Sequence, residues 1–222
     1  MLGQVSREAE PSAVCHSESI ALQQIRALLR SVFLPGWPRP AHQVVFSAAD
    51  EHSDGGPLCA RSAELLARES NSRVCLVEGN LRQPTLEQSY GGTCSDGAAS
   101  GPAPGTMRKS SRQIQANLWF VPRDLFFGSP ENATNLAWLR TRFGELRREF
   151  DYCIIHGSLA DDSGSLLPHV ADGLVLTVDA ERTRRATALR VRNQLAALNV
   201  RLLGAVLLDR SFPIPERLYR RI

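Results

Sequence analysis

The feature that most constrains this chain is its alternation of short apolar runs with amphipathic stretches. Residues 43–47, 73–77, 117–121, 152–155, 173–178 and 202–208 are short and almost continuously apolar. Strands buried on both faces of a parallel sheet read this way, without the in–out alternation of a half-exposed sheet. Residues 18–33, 58–69, 132–149 and 182–198 carry apolar side chains at helical spacing, for example Leu139, Phe143 and Leu146. The pattern predicts an α/β fold with a mainly parallel central sheet and helices on both faces, in three layers. Ligands of such sheets bind beyond the carboxyl ends of the strands. The loops to inspect are therefore 48–57, 78–84, 156–162 and 208–212.

With 222 residues, 43% hydrophobic and 22% charged, the chain can bury a core, which excludes wholesale disorder. No apolar run reaches the roughly 20 residues of a membrane span. The first residues show no apolar signal region, and five cysteines without a CxxC pair point to a reducing, cytoplasmic setting. Residues 1–17 read as a flexible arm, 18–210 as one domain and 211–222 as a basic tail. Within the domain, residues 88–113 are dominated by Ser, Gly, Ala, Pro and Thr and read as a long loop. Lys109 is the only lysine, so nearly all of the 26 basic residues are arginine. Arginines cluster after position 181, at Arg182, Arg184, Arg185, Arg190 and Arg192. That cluster suits anionic lipid, nucleic acid or an acidic partner, or is a solvated helix face. It lacks the interleaved aromatics of a nucleic-acid surface, and none is expected as a partner.

Five fragments, in order, carry a resemblance to a known family. They are Val74-Cys-Leu-Val-Glu-Gly-Asn-Leu-Arg-Gln-Pro-Thr-Leu86, Asn117-Leu-Trp-Phe-Val-Pro122, Phe150-Asp-Tyr-Cys-Ile-Ile-His156, Ala171-Asp-Gly-Leu-Val-Leu-Thr-Val178 and Leu203-Gly-Ala-Val-Leu-Leu208. The chain resembles the bacterial tyrosine kinases (BY-kinases) of capsular and exopolysaccharide export, a MinD/ParA-like branch of the P-loop NTPases. The resemblance implies a three-layer fold, ATP with Mg²⁺ as cofactors, and tyrosine autophosphorylation. The partner it implies is a membrane chain-length determinant protein of polysaccharide export, or a related kinase or NTPase, with self-association as an option.

The positions that would carry this chemistry depart from the family's pattern. A phosphate loop of about GxGKST cradles phosphate with backbone N–H groups, a lysine and a Mg²⁺-binding hydroxyl. Here the loop is Asp50-Glu-His-Ser-Asp-Gly-Gly-Pro-Leu-Cys59, with Gly56 at the lysine's place and Pro57 and Leu58 where hydroxyls belong. Asp50, Glu51 and Asp54 would repel a polyphosphate. Asp54, Gly55 and Gly56 are thus a vestigial phosphate loop, or an ordinary turn. The family's strand-end acids become Glu78-Gly-Asn80 and His156, and Arg82 follows the second strand as a family arginine does. Glu78, Arg82 and His156 are the vestigial catalytic candidates. Their plainer readings are a paired strand-end acid, a surface arginine and a hydrogen-bonded structural histidine. Asp161 and Asp162 read as a small acidic site or an N-cap, and no metal site is expected. Two functions follow. One is a non-catalytic pseudokinase acting by protein contact in polysaccharide export, at the inner face of the membrane through a partner and without a cofactor. The other is an ATP-dependent tyrosine autokinase or ATPase with an atypical phosphate loop.

Overall fold

The structure is a computed structural model, and it describes residues 11–33, 40–51, 53–91, 107–159 and 162–209. The described residues before Ala41 form a unit of their own, containing the helix α1 (Pro11–Phe33). This helix begins well before the Glu18 suggested by apolar spacing, so part of the expected arm is helical. Proline fits a first helical turn, where its missing N–H has no partner to lose. Residues 1–10 and 211–222 lie outside the described residues.

The second unit begins at Ala41 and holds the sheet. Its elements, in chain order, are β1 (Gln43–Ala48), α2 (Gly56–Ser70), β2 (Val74–Glu78), α3 (Thr85–Tyr90), α4 (Met107–Ser110), β3 (Arg112–Gln115) and β4 (Leu118–Val121). Then come α5 (Arg123–Phe127), a 3-10 turn (Pro130–Thr134), α6 (Leu136–Glu149), β5 (Tyr152–Ser158), α7 (Asp162–Val170), β6 (Gly173–Asp179), α8 (Arg185–Ala197) and β7 (Leu202–Leu208). The sheet order is β3-β4-β2-β5-β1-β6-β7. All pairings are parallel except the antiparallel β3–β4 ribbon. The six expected strands are present and parallel to one another.

The differences from the sequence reading have local causes. Residues 88–113 are not one loop: α3 runs to Tyr90, and α4 and β3 fall inside the segment. Met107 is buried, and the N–H groups of Met107 and Arg108 donate to the Glu149 carboxylate at the end of α6. A distant acid therefore caps a helix that composition alone hides. The expectation for residues 92–106 lies outside the described residues. The helix expected over 132–149 begins at Leu136, because the Asn135 side chain accepts from the N–H groups of Ala137 and Trp138.

One face of the sheet, with Val45, Val77, Ile155 and Leu174, packs against Phe126, Phe127, Leu139, Phe143, Leu146 and Leu167. Cys75 and Cys153 belong to this core, and Cys59 on α2 is buried too, as expected of small apolar groups. Helix α2 packs on β2, β4 and β5. Its placement sets its amino end beside the carboxyl ends of β1, β2 and β5.

Candidate functional site

A cleft of about 270 Å³ opens at those strand ends, lined by Ala48, Asp50, Glu51, Ser53, Asn80, Arg82, Gln83, His156, Gly157 and Ser158. His156 lines the cleft, and its register partner on β2 is Glu78. Glu78 is fully buried, and His156 is 2% exposed. The His156 Nδ1 donates to Glu78 Oε1 at 2.9 Å. The same oxygen accepts from the N–H of Asn80 at 2.9 Å, and Oε2 accepts from the N–H of Leu86 at 3.0 Å. Glu78 thus ties the end of β2, the first turn of α3 and the histidine of β5 into one buried network. A buried carboxylate with this many donors is satisfied without a ligand.

On the other side of the imidazole, His156 Nε2 stands 3.8 Å from Asp54 Oδ1. That Asp54 oxygen accepts from the N–H of Gly56 at 2.8 Å and from the Thr85 hydroxyl at 3.0 Å. The amino end of α2 therefore holds a carboxylate of its own chain, a favourable place for negative charge. Gly56 is packed so closely that a Cβ there would stand 2.2 Å from Thr85 Oγ1. Pro57 follows in the first turn and offers no N–H.

Asp50 is held in the same manner. Its Oδ1 accepts from the N–H of Ser53 at 3.1 Å, and the Thr183 hydroxyl donates to its Oδ2. Asn80 Oδ1 accepts from the N–H groups of Arg82 and Gln83, a turn that presents Arg82 to the cleft. Arg82 pairs with Glu51 at 3.1 Å, and both side chains are more than half exposed. Burial first, then the Glu78 and Asp54 charges, push the Cys59 thiol well up, so it is no nucleophile at neutral pH.

The structure brings together all six candidate residues: Asp54, Gly55, Gly56 and Glu78 gather around His156, and Arg82 lines the cleft with that histidine. Of the acidic pair after β5, Asp161 lies outside the described residues and Asp162 begins α7. Sequence reasoning missed Thr85, Asn80 and Thr183 as the groups that lock the rim. Thr85 and Asn80 stand within the quoted second fragment, but their roles need the fold of the loop. Among the described residues no group of three or more His, Cys, Asp or Glu could hold a metal ion. No described helix is long and apolar enough to cross a membrane.

No protein-family model matches the chain. Tyrosine-protein kinase YwqD of Bacillus subtilis (strain 168) is 22% identical over 203 residues, spanning 88% of this chain and 84% of that protein. The VpsO kinase domain superposes with a TM-score of 0.65 at 18% identity, covering 88% of this chain and 99% of that one. A MinC:MinD cell division protein complex from Aquifex aeolicus gives 0.59 at 15% identity, over 82% of this chain and 72% of that one. The chain therefore shares its fold with the VpsO kinase domain and with MinD, and over most of its length it is similar in sequence to a bacterial tyrosine-protein kinase.

Proposed function

We propose that this chain is a non-catalytic relative of the exopolysaccharide tyrosine kinases, acting by protein contact in polysaccharide export or its regulation. Its place would be the inner face of the membrane, reached through a chain-length determinant protein or an active kinase of the same fold. The observation that carries the reading is the Asp54 carboxylate on the N–H of Gly56, at the helix end where the family resemblance puts phosphate. A polyphosphate there would meet Asp54 and Asp50 at close range. Lysine cannot simply be restored at position 56, because Thr85 fills the space its Cβ needs. Glu78 spends both oxygens on Asn80, Leu86 and His156. The residues present do not fit Mg-ATP in the manner the resemblance implies. Phosphoryl transfer rests on positioning and charge neutralisation, and both are missing from this set of side chains.

The acceptor side points the same way. The Tyr90 hydroxyl donates to Glu64, and burial first, with that bond next, pushes Tyr90 up to about 12. MinD, whose fold this chain shares, is found in complex with MinC, an instance of the fold acting through a protein. One observation favours the alternative, an autokinase or ATPase with an atypical loop: Arg82 lines the cleft beside Asn80 and His156.

Calorimetric titration with ATP and ADP, with and without Mg²⁺, tests the reading, together with assays of phosphate release and of phosphotyrosine at Tyr90, Tyr152 and Tyr219. The expected result is no turnover. Phosphate release that disappears in Arg82→Ala and Glu78→Gln would overturn the proposal and assign the cleft to ATP chemistry.

A further inference from the structure

The two sides of the sheet end differently. On one side β3 is short and polar, exposes Arg112 and Gln113, and shifts register against β4. Charge and irregularity of this kind are how natural sheets protect an edge from further pairing. On the other side β7 runs seven residues, LLGAVLL, without charge or proline. Among the described residues it pairs with β6 alone. Ala205 and Leu207 on it are exposed.

The exposed large apolar side chains among the described residues are Leu189, Leu198 and Leu207. All three belong to α8, β7 or the link between them. Helix α8 buries a single residue, Leu195, and packs against β7. The charge is mostly positive: from Arg182 to Leu208 there are arginines and no acid, with the exposed Glu181 and Asp209 flanking the segment. Arg184, Arg185 and Arg190 are exposed, and the Arg192 guanidinium donates to its neighbour Asn193.

We propose that the open edge of β7, with the arginines of α8 beside it, docks an extended acidic segment of a partner protein, which adds to the sheet as a further strand. Backbone groups of β7 supply pairing that any extended chain can use, and neighbouring charge selects which chain. A second copy pairing edge to edge would bring two arginine-bearing helices together, which like charge opposes. A lipid surface cannot satisfy an open backbone edge. Nucleic acid offers phosphate to the arginines but nothing to an exposed Leu207. The proposal is independent of whether the cleft turns over ATP.

The test is fluorescence anisotropy with the full chain and a labelled eight-residue peptide alternating valine and glutamate. Binding is expected at low salt, weakening steeply as salt is added. Arg190→Glu with Arg192→Glu, and separately Leu207→Glu, should each weaken it by about tenfold or more. Leu207→Asn should weaken it less, because it removes apolar contact without adding repulsion. Circular dichroism confirms that the variants fold, as expected for exposed positions. Absence of binding, equal binding of a valine–lysine peptide, or indifference to all variants would overturn the proposal. So would a dimer that Leu207→Glu dissociates, which assigns the edge to a second copy. Binding of anionic vesicles without peptide binding would overturn it in favour of a lipid surface. Slow amide exchange at every β7 residue of the free monomer would show the edge already covered by the chain itself, and would overturn it too.

Discussion

The interior of the sheet and its carboxyl rim obey different rules, although they are consecutive along the chain. In the interior, Val74, Leu76, Val77, Ile154 and Ile155, and Val44 to Phe46 are buried apolar side chains that need no hydrogen-bond partner. One residue further on, at Glu78 and His156, the groups are as deeply buried but polar, and each has named partners. Burial of the first kind is additive and tolerant of exchange between apolar residues of similar size. Burial of the second kind is all-or-none, because removing one member strands the others. A fold can therefore persist through the interior while the rim is rebuilt. Here the rim binds itself: Asp54 holds the start of α2, and Glu78 holds the start of α3.

The largest effect that would test this contrast is Glu78→Ala. It removes the acceptor for His156 Nδ1 and for the N–H groups of Asn80 and Leu86. The expected loss is about 3–5 kcal/mol, since three buried donors are stranded at about 1–3 kcal/mol each. Glu78→Gln keeps acceptor capacity and should lose less. The measurement is the urea midpoint at constant m value. A loss below about 1 kcal/mol would mean that water replaces the carboxylate, and the rim would then be no more demanding than an exposed surface.

A smaller effect sharpens the contrast by coupling two loops. Gly56→Ala places a Cβ 2.2 Å from Thr85 Oγ1 and 3.2 Å from Thr85 Cβ. Overpacking of this kind costs about 1–3 kcal/mol. Thr85→Ala removes the nearer atom, so the double variant should be more stable than the sum of the single losses predicts, by about 1 kcal/mol. Strict additivity would show that the two loops move apart freely. The close packing of Gly56 on Thr85 would then not be what keeps a longer side chain out.

The same contrast explains what the sequence made legible. The interior was readable because apolar runs signal strands whatever they pack against, and all six parallel strands were found. Gly56 and the absence of lysine from the loop were readable because they are identities at a position. The antiparallel β3, with Arg112 and Gln113 exposed, gave no apolar signal. The helix α4 depends on Glu149, 41 residues from Arg108 along the chain. Arg142 was equally hidden. Apolar spacing marks Leu139, Phe143 and Leu146 on α6, yet Arg142 is also 2% exposed. It donates to the carbonyls of Phe126 and Leu125 and pairs with Glu145 at 2.6 Å. The His156–Glu78 bond joins residues 78 apart. Partners that are distant in sequence are created by the fold and cannot be read before it.

The smallest effect concerns the opposite rim, at the amino ends of the strands, where carboxylates also hold backbone N–H groups. Asp172 Oδ2 accepts from the N–H groups of His42 and Gln43, each at 2.8 Å, at the entry to β1. Arg147 pairs with its other oxygen. Burial alone would raise Asp172, but the His42 and Gln43 N–H groups and then Arg147 outweigh it and hold the carboxyl below its usual value. Asp151 is lowered by its bond to the Arg73 guanidinium, against a smaller opposing effect of burial. A carboxyl lowered on folding stabilises the protein above its unfolded value, about 4, and loses that contribution as pH falls through the folded value. Stability should thus be level from neutral pH to about pH 5 in this respect and decline below about pH 4. Asp172→Asn should remove about 1 kcal/mol at neutral pH and flatten the decline. The measurement is the urea midpoint of parent and variant across the acid range. A variant with the parent's slope would show that the Asp172 carboxylate contributes nothing specific to the amino-end rim. Such a result would set that rim apart from the carboxyl-end rim, where Glu78 is expected to be indispensable.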